Sequence, residues 1–169
     1  PSPEGLRIQG EIAWTAGDLA GAIAKFEQAY HAAPNATTLR ARLSDGLLAG
    51  LKQDYSRYQH HSELLAKLLA DSHQRVELLR IHIDGMLAAN QLTEAWQHAL
   101  ELFENDRDEM VLVANDHLVL VDRWFAARMV RLWEQADSSL QETMVAHIGE
   151  LSEQAQSDFA ALSRLARYF

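Results

Sequence analysis

From Asn35 to Phe169 the chain contains no proline, so its three prolines (Pro1, Pro3 and Pro34) all fall in the first fifth. A run of 135 residues without the strongest helix breaker leaves helix as the cheapest way to satisfy the backbone. Composition points the same way. Alanine (26) and leucine (25) supply 51 of the 169 residues, and both rank high in helix propensity. An all-α chain is expected. Its length suits one domain or a compact array of repeats, and 48% apolar residues can supply a core.

Charge and composition exclude several classes. A formal charge of −9 opposes non-specific attraction to nucleic acid or to an anionic membrane surface. The absence of cysteine removes disulfides, thiolate nucleophiles and cysteine zinc sites, while leaving the compartment open between cytoplasmic and exported. No apolar run approaches the ~20 residues of a membrane span. The chain begins at Pro1 without an initiator Met, which is read as a piece of a larger, multidomain protein.

Helical periodicity is clear. Leu19, Ile23, Phe26 and Tyr30 share one helix face, and Leu39, Leu43, Leu47 and Leu51 recur every fourth residue. Val76, Leu79, Ile83, Met86 and Leu87 keep the same spacing. Helices are expected near 3–16, 19–33, 36–52, 55–70, 73–89 and 93–104, as three antiparallel pairs. Ser2, Asp18, Asp54 and Ser72 are the expected N-caps. After a polar break at 105–109, two Val-rich runs, Met110–Val113 and Leu118–Val121, are either a small hairpin or an extended loop. The loop is favoured, because an isolated hairpin is only marginally stable. Helix resumes at Asp122 with Phe125, Met129, Leu132, Trp133 and Ala136 as an apolar stripe. Ser139-x-x-Glu142 reads as a capping box, and Ser157 as the cap of a last helix.

The segment from Gly10 to Pro34 also repeats. Gly10 is a small residue permitting close helix approach, Gly17-Asp18-Leu19 a turn, Ala22, Phe26 and Ala29 a buried face, and Pro34 a stop. A shift of 36 residues sets Gln53-Asp54-Tyr55 on the turn, Gly46 on Gly10, Tyr58 on Ala22 and Ser62 on Phe26. A further 37 sets Asn90-Gln91-Leu92 on the turn, Ala95 on Ala22 and Ile83 on Gly10. The later copies end on Ala70 and Arg107 in place of proline. Bulky Tyr58 in the place of Ala22 and polar Ser62 in the place of Phe26 imply that the second pair splays or changes register.

These residues resemble the tetratricopeptide repeat, a 34-residue helix-turn-helix unit. The resemblance implies a right-handed α-α superhelix, or solenoid, with three such pairs over 1–105. A loop or hairpin at 106–121 and C-terminal helices at 122–169 packing on the array would complete it. It further implies a non-catalytic protein–protein interaction scaffold whose concave groove is lined by the first helix of each pair. Carried over residue by residue, the groove takes Arg7, Glu11 and Trp14, then Arg40, Ser44 and Leu47, then Glu77, Arg80 and Asp84. Family members that clamp a peptide carboxylate use Lys and Asn there. Glu11, Leu47 and Asp84 stand at the Asn position, which argues for a polar or basic peptide instead. Asp122 to Arg128 and Leu165 to Phe169 also resemble the helical segment of large bacterial proteins with PQQ-type β-propeller repeats. That implies an exported appendage packing against a neighbouring propeller of the same chain, without an external ligand and without PQQ binding by these residues.

Chemistry is sparse. His60 and His61 diverge on a helix, and His98 with Glu101 lacks the second pair of a di-metal bundle. Ser44, Ser139 and Ser157 sit where capping or solvation explains them, and no Gly-x-Ser-x-Gly or phosphate loop is present. Asp106, Asp108 and Glu109 lack the EF-hand pattern. No enzyme, metal or cofactor is expected. Arg123, Arg128 and Arg131 beside Trp124 and Trp133 form a possible second, basic-aromatic patch, or simply border the apolar stripe and pair with carboxylates. If the array packs only against another domain of the same chain, the face of the last helix pair around Trp124 and Phe169 is expected to be apolar and exposed.

Overall fold

The computed structural model describes residues 1–69, 71–105, 110–113 and 117–169, with the side chains of 105 and 110–119 left aside. The described chain is predominantly helical: α1 (Pro3–Thr15), α2 (Leu19–Ala32), α3 (Thr37–Gln53), α4 (Tyr55–Tyr58), a 3-10 turn (Gln59–His61), α5 (Ser62–Leu68), α6 (Ser72–Ala88), α7 (Leu92–Asn105), α8 (Val121–Gln135), α9 (Ser138–Gln154) and α10 (Phe159–Tyr168). Between α7 and α8, Met110–Val113 (β1) and His117–Leu120 (β2) pair antiparallel, with Met110 opposite Leu120. The Val-rich runs thus form the hairpin and not the favoured loop. They pack against α8, which supplies the partner an isolated hairpin would lack. Ala70, Asp106, Arg107, Asp108, Glu109, Ala114, Asn115 and Asp116 lie outside the described residues.

The chain divides into two compact units, Pro1–Ile81 and His82–Phe169. The core of the first joins Ala22, Ile23 and Phe26 of α2, the Leu43/Leu47/Leu51 stripe of α3, Tyr58, Leu65, Leu68, and Leu78 and Ile81 of α6. Close approach of α1 to α2 depends on Gly10. A Cβ there would stand 2.4 Å from the Phe26 ring. Gly50 does the same for Tyr58, whose ring would lie 3.1 Å from a Cβ at that position. The bulky residue at the place of Ala22 is therefore received by a glycine, and the helix expected at 55–70 breaks into α4, a 3-10 turn and α5.

The second unit is held by aromatics. Phe169 packs on Trp96, Phe103 and Phe125, and Tyr168 meets Phe103 and Phe125 edge-on. Trp124 is buried, which corrects the expected exposure there, while Phe169 keeps part of its ring exposed as expected; the other exposed large apolar side chains described in this unit are Leu120, Val130, Trp133, Val145 and Phe159.

Three expected caps are replaced by an aspartate one or two residues away. Asp71 accepts from the His73 amide, Asp137 caps α9 through Leu140, and Asp158 caps α10 through Ala160 and Ala161, in place of Ser72, Ser139 and Ser157. A carboxylate is the stronger acceptor, and its charge also meets the positive end of the helix dipole. Ser2, Asp18 and Asp54 cap as expected.

The turn after α1 recurs 73 residues later. Gly17 (φ 80°) and Asn90 (φ 58°) have positive φ, and no other described residue does. Around each, three amides follow one pattern. Ala16, Gly17 and Asp18 donate to the carbonyls of Ile12, Trp14 and Ala13, while Ala89, Asn90 and Gln91 donate to Gly85, Leu87 and Met86. Both are Schellman endings. Burial recurs as well: Ala22, Ile23, Phe26 and Ala29 are buried on α2, and Ala95, Trp96, Ala99 and Leu102 on α7.

Candidate functional site

In the first unit, α1, α3 and the first turns of α6 enclose an open recess of about 370 Å³. Its floor is Phe26, with Leu48 and Ala49 alongside. Its walls carry Glu11 and Trp14 from α1, Arg42, Asp45 and Lys52 from α3, and Glu77 from α6. The leucine stripe of α3 turns into the core, so the opposite face of that helix, Arg42-Asp45-Ala49-Lys52, points into the recess.

Charges in the recess are partly paired. Arg42 Nε reaches Glu11 Oε1 at 2.8 Å, and its Nη1 reaches Asp45 Oδ2 at 3.8 Å. Lys52 Nζ hydrogen-bonds Glu77 Oε1. Arg7 binds Glu4 at 2.7 Å and Glu11 at 3.2 Å, so Glu11 is shared by two guanidinium groups. Partial burial raises the Asp45 carboxyl above the ordinary range; Arg42 works against that, and Glu11 and Glu77 add to it. Trp14 is 39% exposed, and its ring rests 6.3 Å, centroid to centroid, from Phe26.

Of the nine groove residues read from the sequence, Glu11, Trp14 and Glu77 line this recess. Arg7 supports it through Glu11. Arg40 is turned elsewhere, donating to the carbonyls of Leu68 and Lys67. Ser44 and Leu47 are corrected: both are buried, Ser44 bonding back to Arg40 and Ala41 of its own helix and Leu47 lying in the core. Arg80 does not line the recess, and Asp84 belongs to the second unit. The residues that were missed, Arg42, Asp45 and Lys52, lie on the polar face of α3. The leucine period alone locates that face, since a buried stripe fixes which residues face away from it.

The basic-aromatic patch is dispersed. Arg128 forks onto Asp84 at 2.8 and 3.4 Å and lies 4.9 Å from the centroid of Trp124, itself buried, while Arg123 and Arg131 are exposed. One residue read as groove and one read as patch thus form a single ion pair. Elsewhere in the second unit Trp96 Nε1 donates to His147 Nδ1 at 3.1 Å. His82 is buried and stacked on His98, with ring centroids 4.8 Å apart. No group of three His, Asp or Glu able to hold a metal occurs among the described residues. None of the described helices is long and apolar enough to cross a membrane. Comparisons with family models, curated proteins and solved structures give no match for the chain.

Proposed function

We propose that the chain is a tetratricopeptide-like helical-repeat module that binds a peptide segment of a partner protein in the recess of its first unit, without catalysis. One observation carries the reading. The turn at Gly17 recurs at Asn90 with the same backbone bonds and the same buried positions on the following helix, at the spacing that two copies of a helix-pair repeat would produce. In such an array the first helix of each pair lines the groove, and α1, α3 and α6 supply the recess walls. Peptides selected from a random display library on the intact chain are expected to compete with one another and to lose at least about tenfold in affinity on Trp14→Ala. Selected peptides indifferent to Trp14 would remove the recess from consideration.

A second reading, an appendage packed on a neighbouring domain of the same chain, is favoured by the apolar side chains left exposed at Val130, Trp133, Val145 and Phe159.

A further inference from the structure

We propose that the recess selects a basic side chain, arginine before lysine, held between the indole of Trp14 and the carboxylate of Asp45. The inference deepens the peptide-binding reading and rests on it. The lining carries three carboxylates, Glu11, Asp45 and Glu77, against two cations, Arg42 and Lys52. Those cations are committed unevenly. Lys52 is engaged by Glu77, and Arg42 sits a full ångström nearer to Glu11 (2.8 Å) than to Asp45 (3.8 Å). Asp45 is therefore the carboxylate that its neighbours neutralise least. The rise in its proton affinity, caused by burial and by Glu11 and Glu77 against the pull of Arg42, expresses the same imbalance. An incoming cation relieves it in the way a proton does.

Trp14 supplies the second half of the pocket. A Cβ at Gly46 would stand 3.6 Å from Trp14 Cζ3, so the ring lies over the α3 backbone at the residue following Asp45. Phe26 backs the ring from within the core, which holds an exposed indole beside an under-compensated carboxylate. A flat guanidinium meets both at once, stacking on the indole and donating to the carboxylate; an ammonium satisfies the carboxylate but not the stack. An acidic or phosphorylated segment meets three carboxylates and is refused. The charge of −9 over the chain steers the same class of ligand.

The test uses the library-selected peptides on the intact chain. Their sequences are expected to be enriched in arginine. Synthetic versions with that arginine replaced by citrulline should bind about tenfold or more weakly by fluorescence anisotropy. Asp45→Asn should weaken the arginine peptide by a similar factor and leave the citrulline peptide unchanged, and Trp14→Leu should narrow the gap between arginine and lysine peptides. Peptides that depend on Trp14 yet bind equally as citrulline versions overturn the basic selectivity and leave the peptide site standing. An absence of selected peptides, or peptides indifferent to both residues, overturns both. Melts followed by circular dichroism check folding. Should Trp14→Leu fail to fold, the half-exposed Asp45 decides alone.

Discussion

His82 is the residue whose chemistry departs furthest from its ordinary state. Burial, with the stacked His98 ring adding to it, lowers its pKa from 6.5 to about 4, so it is neutral in the native chain at neutral pH. The unfolded chain takes up a proton on this side chain below pH 6.5, and the native chain does so only near 4. Stability therefore falls as pH drops through that window, by about 3 kcal/mol at its foot for a shift of this size. His98, which faces Glu101 at 3.4 Å, shares the neighbourhood. Urea unfolding at pH 7 and pH 4.5 should show His82→Phe losing clearly less stability on acidification than the wild type. An identical loss would mean that the carboxylates alone govern the acid side. Nothing in the sequence singles His82 out from the other seven histidines, since its burial is decided by partners distant along the chain.

Among the elements, the turns were the most legible and the caps the least. Gly17 and Asn90 were both placed at a helix end by the repeat alignment, and both take positive φ there. Asn90→Gly should be neutral or stabilise by under about 1 kcal/mol, whereas Asn90→Ala should cost about 1 kcal/mol, read from thermal melts. Ser72, Ser139 and Ser157 were credible caps by residue type. Each lost to an aspartate close by in the chain, because propensity ranks Ser and Asp almost equally while the helix dipole does not. The break at Gln59–His61 was foreseen only as a disturbance of the second pair, from Tyr58 and Ser62 standing where Ala22 and Phe26 stand in the first. Its form depends on Tyr58 settling over Gly50, a contact across two helices.

At the scale of the molecule, the all-helical class followed from the missing prolines and the leucine periods, and among the described residues only the short β1–β2 ribbon departs from it. The recess was half legible. Glu11, Trp14 and Glu77 came from carrying a groove pattern over, whereas Ser44 and Leu47 failed because that pattern does not register how α3 is rotated about its axis. The leucine stripe does register it. The exposed apolar side chains of the second unit bear on behaviour in solution. Replacing Val130 with Lys and Phe159 with Ser should lower binding of a hydrophobic dye while leaving the melting temperature within about 1–2 °C, since neither side chain is buried. A large drop in melting temperature would mean that these residues support the fold.

The glycine beneath Phe26 has a consequence for how such a chain changes over generations. Gly10 and Phe26 form a small-large pair, and the aligned positions 73 residues on hold Ile83 and Ala99, large-small, both fully buried. One pair of positions is the volume inverse of the other. Passing between them one substitution at a time means crossing either a clash, Gly10→Ile against the ring, or a void, Phe26→Ala, each costing several kcal/mol. The double variant Gly10→Ile/Phe26→Ala should be more stable than the sum of its singles by about 2 kcal/mol or more in denaturant melts, and simple additivity would disprove the exchange. Two helix pairs related in this way can keep similar packing while sharing almost no letters, and the accessible route between them runs through a step with both side chains small.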